Sequence, residues 1–142
     1  MDASQFENQL KNYPLAKEAL TILNDATIEL LALKGYSRAE AAVLFTAVDA
    51  ALMTSFTEGS PQFVKEAIAC NCPVVSTDVG DVKKVIEDIE GCFIASYEPK
   101  DVAEKIRKSI HYGELMNGRE RIAHFDNREI ARKLIALYHQ IS

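Results

Sequence analysis

At 142 residues, with 48% apolar and 26% charged side chains, the chain is long enough to bury one core and has the balance of a globular domain. Its net charge of −5 and the lack of any basic stripe argue against a nucleic-acid-binding surface, and no apolar run reaches membrane-spanning length. The amino-terminal stretch is unlike a signal peptide. Cys70, Cys72 and Cys92 have no ligand-like spacing with His111, His124 or His139, so they read as reduced thiols of a cytoplasmic protein with no metal site.

Residues 1–12 are polar and unpatterned apart from Phe6 and Leu10. Pro14 opens a predicted helix to about Leu23, with Leu15, Ala19, Ile22 and Leu23 inward and Asn24-Asp25 as its end. Lys11 stands just ahead of it, by residue type a solvated loop lysine. Residues 27–33 are rich in strand formers and are expected to form a strand, which Lys34-Gly35-Tyr36 turns. Ser37-Arg38-Ala39-Glu40 has the spacing of a capping box and starts a helix to about Phe45.

The densest information lies in residues 49–80. Residues 49–54 form a short apolar run suited to a buried parallel strand, and residues 55–60 form a polar, glycine-bearing loop. Ser60 occupies an N-cap position and Pro61 the first helical one, and the helix runs to about Asn71. Phe63, Val64, Ala67 and Ile68 share one face of that helix; Gln62, Lys65, Glu66 and Ala69 share the other. Cys72-Pro73 stops it, and Val74-Val75 begins the next buried strand. A helix start reached through such a loop presents free N–H groups and a positive dipole end, which suits phosphate. Glu58 and Glu66 flank that seat and would repel phosphate, so they suit hydrogen bonds from ligand hydroxyls. Taken by spacing alone, Glu58 complements the helix dipole and Glu66 is a solvated helix residue.

Beyond Gly80 the α/β alternation continues. Asp81 is placed to cap a short helix through Val82, Val85 and Ile86, and residues 92–95 form a strand. Pro99 starts a helix to about Tyr112 with Val102, Ile106 and Ile110 inward, and a short helix is expected within residues 119–124. Asp126 and Glu129 have capping-box spacing for a last helix whose stripe is Ile130, Leu134, Leu137, Tyr138 and Ile141. Together these elements imply an α/β fold, a single domain over residues 1–142 with a Rossmann-like parallel sheet of about four strands and helices on both faces.

Glu58-Gly59-Ser60-Pro61, Glu66-Ala67-Ile68-Ala69 and Pro73-Val74-Val75-Ser76-Thr77-Asp78-Val79-Gly80, in this order and spacing, resemble the donor-binding half of the retaining group-1 (family 4) glycosyltransferases. The resemblance implies the C-terminal half of a GT-B architecture and a nucleoside-diphosphate-sugar donor, with no metal or other cofactor. It implies that Glu66 binds the nucleotide ribose, that Glu58 contacts the transferred sugar, and that the amides around Gly59, Ser60 and Pro61 hold the diphosphate. Phe6, Asn8 and Lys11 to Ala16 resemble the loop where the family places a phosphate-binding lysine, although no arginine precedes Lys11 as it does there. The resemblance implies the nucleobase near Gly35-Tyr36, whereas by residue type Tyr36 is an ordinary turn tyrosine. Gly80-Asp81-Val82-Lys83-Lys84 departs from the family's G-G-x-x-E and leaves donor identity more open.

Family members are more than twice this length. The resemblance therefore implies a fragment that lacks an N-terminal acceptor domain and the opening strand before Ser4, and that is inactive alone. The last helix resembles one that crosses to the missing domain, so its stripe is expected to be partly uncovered and to favour weak self-association. A stand-alone nucleotide-sugar-binding module without turnover is the alternative reading.

Overall fold

The computed structural model describes residues 10–113 and 117–141. Its elements are α1 (Tyr13–Leu23), α2 (Arg38–Ala47), β1 (Ala51–Met53), α3 (Gln62–Ala69), β2 (Val74–Thr77), α4 (Val82–Ile86), β3 (Phe93–Ala95), α5 (Pro99–Tyr112), α6 (Gly118–Arg121), a 3-10 turn (Ala123–Phe125) and α7 (Asn127–Ile141). The three strands are parallel in the order β1-β2-β3, with Ala51 opposite Val74 and Val75 opposite Phe93.

The pleat of β2 divides the interior into two cores. Val74 points to one face, where it joins Phe45 of α2, Val64, Ala67 and Ile68 of α3, and Val82 and Ile86 of α4. Val75 points to the other, where it joins Leu15, Ala19 and Leu23 of α1 and Val102, Ala103 and Ile106 of α5. Adjacent strand residues face opposite sides, so a strand covered by helices on both faces must be apolar at consecutive positions. Val74 and Val75 are each fully buried. The expected Rossmann-like parallel sheet sandwiched by helices is present.

Several expectations need correction. Residues 27–33 form no strand, and the sheet has three strands among the described residues rather than four. Leu31 and Leu33 are exposed, and no described strand offers this segment a hydrogen-bonded ladder. Strand propensity measures fit to a half-buried pleated surface, and without a neighbour it has nothing to fit. Ile22 lies outward; the buried side of α1 is Leu15, Ala16, Ala19 and Leu23. Ser60 does not cap α3. The cap position is Pro61, and the Ser60 hydroxyl donates to Asp81 Oδ2 at 2.6 Å instead. Asp81 likewise holds the cap position of α4 without a capping bond.

The capping box of α2 is formed as expected: Glu40 N donates to Ser37 Oγ, and Ser37 N donates to Glu40 Oε2 at 2.8 Å. At α7, Asp126 Oδ1 accepts from Arg128 N, whereas Glu129 pairs with Arg132 rather than completing a box. The residues before Leu10, including Phe6 and the expected strand stub before Ser4, lie outside the described residues.

Candidate functional site

The carboxyl ends of the three strands all feed one edge of the molecule. β1 leads into residues 54–61, β2 into residues 78–81, and β3 into residues 96–98. The segment ahead of α1 is tied to this edge through its backbone. Phe56 N donates to Leu10 O at 2.9 Å, and Thr54 Oγ1 lies 3.0 Å from the carbonyls of both Lys11 and Asn12. Asn12 turns the chain into α1 with a left-handed backbone (φ 50°), which asparagine tolerates better than most residues.

This anchoring delivers Lys11 to Glu58. Lys11 Nζ lies 2.5 Å from Glu58 Oε1, and Ser55 Oγ donates to the same oxygen at 2.9 Å. Both bonds fall on Oε1, so Oε2 has no partner among the described residues. The lysine is more than half exposed, so the pair contributes little stability and opens at little cost to an incoming ligand. Held beside Lys11, the Glu58 charge is offset, which reduces the repulsion it would otherwise exert on a phosphate.

A second cluster clamps the loop from behind. Lys65, mostly buried, donates to the Ser60 hydroxyl and lies 3.3 Å from Asp81 Oδ2, while its ammonium sits 4.4 Å from the Phe125 ring centre. Burial pushes the Asp81 carboxyl up, but hydrogen bonds from Ser60 and Lys65 and the Lys65 charge outweigh it and hold Asp81 below its ordinary value. The backbones also close on each other: Asp81 N donates to Gly59 O, and Gly80 sits at φ 56°. A Cβ at Gly80 would fall 2.0 Å from Gly59 O, so only glycine allows the 58–60 and 79–81 loops to approach this closely. The N–H groups of Gly59 and Ser60 donate to no acceptor among the described residues. They stand ahead of α3 beside its positive dipole end.

Glu66 projects from α3, half-buried, and accepts from Arg38 Nε at 2.9 Å. Gly35 (φ 80°) and Tyr36 precede Arg38 in an exposed turn; Tyr36 makes no hydrogen bond or ring contact among the described residues. Of the residues singled out from sequence, Lys11 and Glu58 are therefore in contact, and Gly59, Ser60 and Pro61 form the adjoining loop. Glu66 is linked to the capping box of α2, and the Gly35-Tyr36 turn is joined to the site only along the chain.

Sequence reasoning missed Arg38, Lys65 and Asp81 as parts of this arrangement. Arg38 was hidden inside a capping box. Lys65 shares the polar face of α3 with Glu66, so it reads as solvated, and only the fold of Asp81 onto Ser60 shows what it holds. A cavity of about 190 Å³ lies elsewhere, lined by residues including Phe45, Asp49, Cys70, Cys72 and Pro73, at the amino ends of β1 and β2. It contains none of the paired groups described above. Among the described residues no cluster of His, Cys, Asp or Glu could hold a metal ion, and no helix is long and apolar enough to cross a membrane.

The sequence model of the family described as "Glycosyl transferases group 1" matches residues 13–124, which includes Glu58 and Glu66 and stops short of α7. No curated protein matches the chain.

Proposed function

The chain belongs to the group-1 glycosyltransferases, a family whose domain implies sugar transfer from a nucleotide-sugar donor, and on that premise we propose that it is the donor-binding domain of a retaining, family-4-type enzyme. The observation that carries this reading is the Lys11–Glu58 pair seated beside the unpaired amides of Gly59 and Ser60 at the carboxyl ends of the strands. In open α/β sheets that is the end at which ligands bind.

In this reading the diphosphate lies against the Gly59 and Ser60 amides and the start of α3. Lys11 swings from Glu58 toward it, and Glu58 accepts hydrogen bonds from hydroxyls of the transferred sugar. Glu66 accepts the ribose hydroxyls, with Arg38 holding its carboxylate in place. As the bond to the sugar breaks, negative charge gathers on the leaving diphosphate. N–H dipoles already fixed in direction, together with the lysine, stabilise it with little reorganisation. The Lys65–Ser60–Asp81 clamp keeps the loop in register for that role. No proton needs to be removed by this domain. The acceptor is held by a second lobe facing this edge, because transfer requires both substrates in near-attack geometry. The domain alone is then a binder that turns over no sugar, and its place is the cytoplasm, in polysaccharide-type synthesis.

Calorimetric titration with nucleoside diphosphates tests the reading. Glu66→Ala is expected to weaken binding by about 1.5–3 kcal/mol, the value of a charge-assisted hydrogen-bond pair, without loss of fold. Unchanged affinity would remove Glu66 from the site.

A further inference from the structure

Two exposed aromatic rings complete the same edge, and the residues discussed so far do not use them. Phe56 follows β1 and Tyr97 follows β3, the two outer strands of the sheet. Their rings stack with centres 5.2 Å apart and planes 24° from parallel. Each gives one face to the other, yet Phe56 is 55% and Tyr97 44% exposed. Apolar rings of this size at a surface leave a flat face in water that a ligand or partner can cover.

The pair is held in place. Tyr97 OH donates to Ser55 O at 3.3 Å, the same carbonyl that accepts from the buried Thr77 hydroxyl at 2.7 Å, and Phe56 N is bonded to Leu10 O. Ser55 itself is fully buried, and its hydroxyl donates to Glu58. The rings and the Glu58 carboxylate are thus fixed to one rigid residue.

We propose that the Phe56–Tyr97 pair is a platform for the C–H face of a pyranose ring. A sugar ring offers two chemistries at once: a patch of weakly positive C–H groups, which suits the negative face of an aromatic ring, and hydroxyls, which suit Glu58 Oε2 and Lys11. The position within the site favours a sugar over a nucleobase. Arg38 and Glu66 lie on the face of the sheet covered by α2 and α3. Phe56 and Tyr97 lie toward the segments that open α1 and α5, which cover the other face. Lys11, in the segment that opens α1, reaches Glu58 from that same side, so the rings occupy the side of the proposed site away from the ribose. The inference deepens the donor-domain reading and rests on it for the direction of the ligand.

The test compares the wild-type chain with Phe56→Leu, which keeps apolar bulk without a π face, and with Tyr97→Ala. Circular dichroism confirms the fold of each. Calorimetry with UDP, GDP and ADP, and with UDP-glucose, GDP-mannose and ADP-glucose, reads the donor sugar. Saturation-transfer NMR with methyl α-glucoside and methyl α-mannoside in the presence of diphosphate reads a separate, acceptor-side sugar. A loss of about five- to tenfold for the sugar conjugates or the glycosides, with bare diphosphates within about twofold, is the expected result and tells which sugar sits there. Equal losses for a diphosphate and its sugar conjugate, or no loss in any arm, would overturn the platform. If no diphosphate binds the wild-type chain, the donor-domain reading falls, and the glycoside signal alone decides the platform: its presence in wild type and loss in Phe56→Leu supports it, and its absence rejects it.

Discussion

The β1–α3–β2 unit and the last helix, α7, carry apolar stripes of similar clarity in the sequence, and they end up in opposite environments. Val64, Ala67 and Ile68 of α3 are at most 1% exposed, while Leu134 and Leu137 of α7 are 50% and 54% exposed. A stripe states that a helix has a face to bury. Whether the chain buries it depends on a neighbour of matching shape: α3 has one in the sheet, whereas α7 meets the preceding 3-10 turn and leaves most of its stripe exposed among the described residues. The contrast separates what is intrinsic to an amphipathic helix from what its surroundings supply.

The sharpest way to probe that difference is to cut the same kind of side chain from each helix. Ile68→Ala removes a fully buried side chain between sheet and helices and is expected to cost about 2–5 kcal/mol of unfolding free energy. Leu134→Ala is expected to stay within about 0.5 kcal/mol. Urea denaturation monitored by circular dichroism measures both. A comparable loss at Leu134 would mean that α7 is covered in solution by something firmly bound.

Next in size is the junction between the buried unit and the candidate site. Gly80→Ala places a side chain in a left-handed conformation and drives its Cβ into Gly59 O. The expected cost is about 2 kcal/mol, with the 58–60 loop displaced from Asp81. Nucleoside diphosphate affinity should fall as well, because the loop amides lose their alignment. Wild-type affinity in a folded Gly80→Ala variant would show that the loop contact does not set the site.

A smaller effect belongs to the junction of β3 and α5. Asp101 Oδ2 accepts from Ser96 N at 2.7 Å, and chiefly this bond, reinforced by Lys105, holds its carboxyl below the ordinary value. A folded-state value below the unfolded one means stability that is present above the unfolded value near pH 4 and is lost as pH falls through the lower folded value. Asp101→Asn should therefore cost roughly 0.5–1 kcal/mol at pH 7 and nothing once both forms are protonated. A difference that persists at pH 2 would assign the effect to packing.

The same contrast explains what could be read from the sequence. Elements whose signals are local were legible: the capping box at Ser37 and Glu40, the proline starts of α1 and α5, and the consecutive valines of β2. Residues 27–33 were misread because a strand is a property of a pair, and the partner is not encoded in the segment. At the candidate site, Glu58 and the loop were singled out through a motif with fixed spacing and Lys11 through a separate resemblance, and the structure brings Lys11 and Glu58 together. Arg38, Lys65, Asp81, Phe56 and Tyr97 were not, because each owes its placement to a fold that joins positions far apart in the chain, such as Ser60 with Asp81 and Phe56 with Tyr97. Ser60 itself had a plausible local role as a cap, and a tertiary hydrogen bond took it instead.

The least costly change to the chain should have the most visible effect on its association. Ile130, Leu134 and Leu137 recur at helical spacing along α7, and all are more than two-fifths exposed. Water against such a stripe favours any arrangement that covers it, and in a solution of the isolated chain a second copy is the surface always present. One helix face is a small interface, so the association should be weak and rise with protein concentration. Of the charges on this helix only Lys133 lies beside the stripe, while Arg132 is turned to the opposite face and pairs with Glu129, so the contact should depend little on salt. Sedimentation velocity across a concentration series, at low and at moderate salt, measures this directly. Leu134→Lys should shift the chain to monomer at every concentration while leaving the urea midpoint within error, since that side chain supports no core. A wild-type chain that sediments as a monomer at the highest concentration would show that the exposed stripe does not self-associate and is kept for a different surface.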